Sequence, residues 1–110
     1  MGGAYASPND FTALFHDLFL SGHPKLIKSV TARHWLRSLF TSQDFASEVG
    51  MPWEIYLQVL HSGRNLKVYT KAGDITAFHT LASINPSLGF SVTFFVNLFD
   101  VHRSWSFSLV

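Results

Sequence analysis

The sequence predicts an α+β domain: two N-terminal helices, then an antiparallel β-meander of four or five strands. Three observations carry this reading. An apolar period of about 3.6 residues runs through Phe11, Leu14, Phe15 and Leu18. From Trp53 the period changes to two, as a half-buried strand requires. Turn-forming clusters, "HSGRN" and "NPSLG", then separate the alternating runs. Helices first and strands afterwards is the order of an α+β domain.

The first helix begins at "SPND". Ser7 stands where a cap is wanted, Pro8 suits the first helical position, and Asp10 falls three residues after the cap to close a capping box. Gly22 and Pro24 end the run. Ser7 could also be read as a nucleophile, but its setting is that of a cap. A second helix is expected from about Val30 to Leu39, capped by Ser29, with Trp35, Leu36 and Leu39 inward. Residues 41–52, "TSQDFASEVGMP", are polar and turn-rich and read as a loop.

In the first strand Trp53, Ile55, Leu57 and Val59 alternate with Glu54, Tyr56 and Gln58. In the second, Leu66, Val68 and Thr70 alternate with Lys67, Tyr69 and Lys71, and Lys71-Ala72-Gly73 is expected to form the turn. "ITAFHTLASI" supplies a third strand. "FSVTFFVN" supplies a fourth, with Phe90, Val92, Phe94 and Val96 on one face. The tail "VHRSWSFSLV" alternates as a fifth strand would, or is an unstructured end.

Composition narrows the function classes. The chain has 110 residues, enough for one small domain or part of a larger one. Hydrophobic residues make up 47% and charged residues 14%, so the chain can build a core but has few charges to cover its outside. A surface short of charge is expected to meet something else through an apolar patch. The net charge is +1 and the cations form no run or stripe, which argues against nucleic acid. No Cys is present, so disulfides and thiolate zinc sites are excluded. The six His show no pair at i, i+4 spacing and no acidic metal signature, so no metal and no cofactor is expected. His79 is the His to watch, since it follows Lys71 on the next strand. Asp10, Asp17 and Glu54 give no catalytic pair. No apolar run is long enough to span a membrane. "MGGAYASPND" lacks both the basic n-region and the apolar h-region of a signal peptide, and Ala6 stands where a myristoylation pattern wants Ser or Thr.

Four segments, taken in order, carry a family resemblance. "GGAYASPNDFTALFHDLFLSG" resembles the helix-opening stretch after the first two active-site motifs of β-lactamase-like serine hydrolases. "VTARHWLRS" looks like the short helix that follows. "VGMPWEIY" is similar to a strand of the fungal members. "VYTKAGDITAFHTLASINPSLGFSVTFFVN" resembles their Tyr-Thr-Lys-Ser-Gly hairpin and the two strands beyond it. The resemblance spans residues 2–97 of a single partial domain, and residues 98–110 diverge.

The family is that of penicillin-binding proteins, class C β-lactamases and related esterases. It implies a β-lactamase/transpeptidase-like fold, a small acyl substrate, and three motifs: Ser-x-x-Lys, Tyr-x-Asn and Lys-Thr/Ser-Gly. Only the third has a counterpart here, Lys71-Ala72-Gly73, so no catalytic residue is assigned. By the resemblance, Lys71 supplies the substrate-binding cation, Gly73 the close approach and Asp74 a backbone N–H for an oxyanion hole. Ala72 departs from the pattern by lacking a hydroxyl. The acid of Asp74 is an awkward neighbour for a developing oxyanion.

For Lys71 the plain alternative is a solvated charge at a hairpin end. For Gly73 it is a turn glycine. The expectation is a truncated hydrolase piece, inactive alone. The alternatives are a binding module derived from that family, with self-association or a partner protein on an exposed apolar sheet face, and a non-functional gene-model fragment whose tail is read-through. That face is expected to hold Phe95 and Tyr69, and the isolated chain to be poorly soluble. Family members are often secreted, but this chain leaves localisation open.

Overall fold

The computed structural model describes residues 4–43 and 47–97. It is α+β. Helix α1 (Pro8–Phe15) runs directly into a π-helical turn, His16–Leu20, and α2 (Ser29–Trp35) follows. Then come β1 (Phe40–Thr41), β2 (Glu48–Val49), β3 (Glu54–Val59), β4 (Asn65–Ile75), β5 (Phe78–Asn85) and β6 (Phe90–Asn97). All six strands form one antiparallel sheet in chain order. The meander is therefore as expected, but it has six strands among the described residues, not four or five. The additional two are β1 and β2, which flank part of the segment read as a loop. Two-residue strands are too short to show a period. They form because the Leu39 N–H donates to the Val49 carbonyl at 2.8 Å and extends the sheet edge. The fifth strand expected in the tail lies outside the described residues.

Helix α1 starts as its sequence dictates. The Asp10 N–H donates to Ser7 Oγ at 3.1 Å, and the Ser7 hydroxyl donates to Asp10 Oδ2 at 2.7 Å. Its inward face differs from a plain 3.6-residue reading. The Ser21 N–H bonds the His16 carbonyl, five residues back, and this widened turn rotates the chain beyond it. Phe15 and Leu18 are buried and Phe11 is half-buried, as expected, but Leu14 is exposed and Phe19 and Leu20 take its place inside. Asp17 in the same turn accepts the backbone N–H groups of Lys25 and Leu26 at 3.1–3.2 Å, which ties down the connection to α2.

Helix α2 is shorter than expected. It begins at Ser29 with Lys28 at the cap position, so Ser29 does not cap it. Ala32 is its buried residue, Leu36 is half-buried, and Trp35 and Leu39 are exposed. The chain leaves the helix at Leu36 to join β1, which carries Leu39 out of the core.

Cross-strand partners share a face, so the register sorts the sheet into two sides. One side carries Trp53, Ile55, Tyr69, Ala82, Ile84, Thr93 and Phe95, and the helices lie on it. Its centre is aromatic: Trp53 meets Phe15, Phe19 and Tyr69 edge-on, with ring centres 6.0, 5.7 and 6.4 Å apart. Phe11 reaches Phe95 at 5.8 Å. Phe95 and Tyr69 therefore belong to the covered side, against expectation, because α1 crosses to β6 at the far edge. The opposite side holds Phe90, Val92, Phe94 and Val96, all exposed, with Phe94 at 53%. On this same side Leu66 and Thr70 of β4 are buried. Leu57 and Val59 are exposed, since the second half of β3 extends past the helices.

Candidate functional site

The expected turn at Lys71-Ala72-Gly73 is not there. β4 continues through all three residues to Ile75, and the chain reverses at Thr76–Ala77, with Ile75 opposite Phe78. Gly73 is not needed for reversal. It is needed because Thr80 stands opposite: a Cβ on Gly73 would lie 2.8 Å from Thr80 Oγ1. The Thr80 hydroxyl donates to the Gly73 carbonyl at 3.2 Å. The left-handed residue of the turn is Thr76, with φ 51°. No Gly or Asn marks that position, which is why the sequence placed the turn too early.

Residues Lys71–Asp74 form a half-open edge. β3 pairs with β4 only as far as Thr70, opposite Glu54, whereas β5 pairs along β4 to Ile75. From Lys71 onward, β4 thus has a strand on one side only among the described residues. By register Lys71 and Gly73 lie toward the helices, and Ala72 and Asp74 lie toward the other face. The four expected site residues share one edge but not one face.

Lys71 bends along that edge. Its Nζ donates to the Ala72 carbonyl at 2.7 Å and stands 3.6 Å from Glu54 Oε1. With its side chain 45% exposed, this ion pair is a weak tether. On the other face Asp74 Oδ1 and His79 Nδ1 are 2.7 Å apart. His79 thus sits beside the Lys-x-Gly edge, and Asp74 fixes its ring. The cross-strand Asp–His register, readable only once the turn is placed correctly, is what the sequence did not show.

A second polar contact joins neighbouring strands. Lys67 Nζ donates to Glu48 Oε2 at 2.6 Å. This bond holds the Glu48 carboxyl below its ordinary range, against the opposing effect of burial. Burial chiefly pushes the Tyr69 hydroxyl upward. Two buried donors, Trp53 Nε1 and Thr93 Oγ1, have no hydrogen-bond partner among the described residues. A cleft of about 260 Å³ lies elsewhere, between the π-helical turn, α2 and Pro86, and none of Lys71–Asp74 lines it.

Chemically, the edge offers a cation, a backbone free on one side and an oriented imidazole. No hydroxyl stands in the place of Ala72, and no Ser-x-x-Lys occurs in the chain. No group of three metal-ligating side chains occurs among the described residues. No described helix is long and apolar enough to cross a membrane. Comparison with family models, with curated proteins and with solved structures yields no match, and the functional reading rests on the geometry of this edge.

Proposed function

We propose that this chain is the Lys-x-Gly portion of a β-lactamase-related serine hydrolase, able to bind an acyl substrate's carboxylate but not to turn it over alone. The observation that supports this reading is the half-open β4 edge at Lys71–Asp74, where an extended ligand can add beside the strand and meet a cation. Acyl transfer also needs an activated nucleophile with its base. The chain has no Ser-x-x-Lys to provide one.

The test has two arms. Purified protein is incubated with a chromogenic cephalosporin and a p-nitrophenyl ester, and no turnover above background is expected. Backbone amide shifts are then followed while a β-lactam carboxylate is added, with movement expected at Lys71–Asp74 and lost in Lys71→Ala. Turnover that disappears in Lys71→Ala overturns the inactive assignment. Shifts confined to other strands overturn the edge as the site.

A second reading is favoured by a different observation, the exposed stripe Phe90, Val92, Phe94 and Val96. On this reading the chain is a non-catalytic interaction module that uses this face of the sheet. Binding of a hydrophobic dye, reduced in Phe94→Lys, is the expected result. A chain that binds no dye does not fit this reading.

A further inference from the structure

Strand β6 is the last of the described strands in the sheet. It pairs with β5 on one side and with no described strand on the other. Natural edge strands are protected by charge, proline, bulges or short length. β6 has none of these: its eight residues, FSVTFFVN, are uncharged and proline-free, and they pair with β5 residue for residue from Phe90 to Asn97. Among the described residues the outer row of backbone N–H and C=O groups of β6, beside an apolar stripe, has no strand as its partner, and the residues of β6 fit one.

We infer that β6 pairs antiparallel with the β6 of a second copy of this chain, about a two-fold axis at Thr93. This deepens the interaction-module reading above and rests on it. A two-fold axis perpendicular to the sheet keeps the helices of both copies on one side, so residues of like parity must face each other. The register centred on Thr93 satisfies this over Phe90 to Val96. On the exposed side it sets Phe90 against the second copy's Val96 and Val92 against its Phe94. These are aromatic–β-branched pairs, which favour cross-strand contact.

On the helix side the same register sets Thr93 against the second copy's Thr93. Thr93 Oγ1 is buried and has no hydrogen-bond partner among the described residues. One register thus accounts for the unprotected edge and the exposed stripe. The interface is one strand wide, so the dimer belongs to the weak, concentration-dependent class.

The chain contains no Cys, which makes a specific test available. Directly opposed residues in an antiparallel pair have Cα atoms about 4.5–5.5 Å apart, within disulfide range. Thr93→Cys is oxidised with diamide and compared with Ser91→Cys, which in this register faces Phe95 and not itself. Sedimentation of the unmodified chain is followed over a concentration series, alongside Val92→Lys and Phe94→Lys. Both of these positions are exposed, so neither change opens the core, and circular dichroism checks that each variant folds.

The expected results are a rise toward doubled mass with concentration, loss of that rise in both lysine variants, and a covalent dimer from Thr93→Cys but not from Ser91→Cys. A monomer at every concentration overturns the inference. So does a dimer that survives Val92→Lys and Phe94→Lys, or one that cross-links as readily through position 91 as through 93. A monomer that still binds hydrophobic dye overturns self-pairing alone and leaves the exposed face to a different partner.

Discussion

Thr76 occupies a backbone region that a β-branched residue rarely adopts, at φ 51°. A two-residue hairpin of this kind favours Gly at its first central position. Thr76→Gly is therefore expected to stabilise the chain by about 1 kcal/mol, read as a rise in melting temperature of several degrees. Gly73 shows the reverse. Gly73→Ala brings a Cβ against Thr80 Oγ1 and should cost about 1–3 kcal/mol. The cost should shrink in a Thr80→Ala background, which removes the opposing atom. A penalty unchanged by Thr80→Ala would mean that the two residues do not meet. These positions also show what the sequence leaves unwritten. A glycine followed by an apolar run looks like a turn, and only the partner strand reveals it as a gap left for a neighbour's side chain.

Two titrations belong to this scale. The Glu48 carboxyl is held low by Lys67, so its contribution to stability is present above its unfolded pKa of about 4.3 and is lost as pH falls through the folded value. Lys67→Met should shallow the acid limb of a melting-temperature profile. The effect is small, because the Lys67 side chain is 42% exposed. The Tyr69 hydroxyl is pushed up by burial, which gives the opposite sign. Its contribution is complete below about pH 10 and is lost as pH rises through the folded value. Tyr69→Phe should flatten the alkaline limb.

At the scale of elements, the aromatic wedge under α1 holds the two layers together. Phe15 is buried against Trp53, and Ile55 beneath is 0% exposed. Phe15→Ala should cost about 3–5 kcal/mol in a denaturant melt. A loss below about 1 kcal/mol would mean that α1 does not lean on the sheet. The cap, the proline and the start of α1 were legible because Ser7, Pro8 and Asp10 act locally. The π-helical turn was not, because it is made by backbone bonds five residues back, such as that from Ser21 to His16, and no residue type marks it. The widened turn brings Phe19 inside. The ends of α2 were misplaced for a similar reason, since pairing of Leu39 with Val49 overrides the helical period. The candidate edge was half legible. Lys71 through Asp74 stand together as the motif implies, but the alternation of a continuing strand sends two side chains to each face.

For the whole molecule, the central fact is a sheet whose described helices all lie on one side. The low charge content foretold an exposed apolar surface. It did not say which side, because both faces of β6 read as apolar; Phe94 and Phe95 are adjacent and point opposite ways. Phe11 settled the choice by covering Phe95. The chain should therefore melt at a temperature that rises with protein concentration, as a self-associating native state does. A melting point that does not depend on concentration would remove the reason to expect poor solubility.

The contact between α1 and β6 has a kinetic consequence. Each strand pairs with its immediate successor, so the meander closes only short loops and can zip up early. The first helix must instead wait for β6, because Phe11 rests on Phe95. Docking of the N-terminal segment is then the final step in assembly and the first to be undone. Truncating Phe11 to Ala should quicken unfolding while barely altering the rate of refolding.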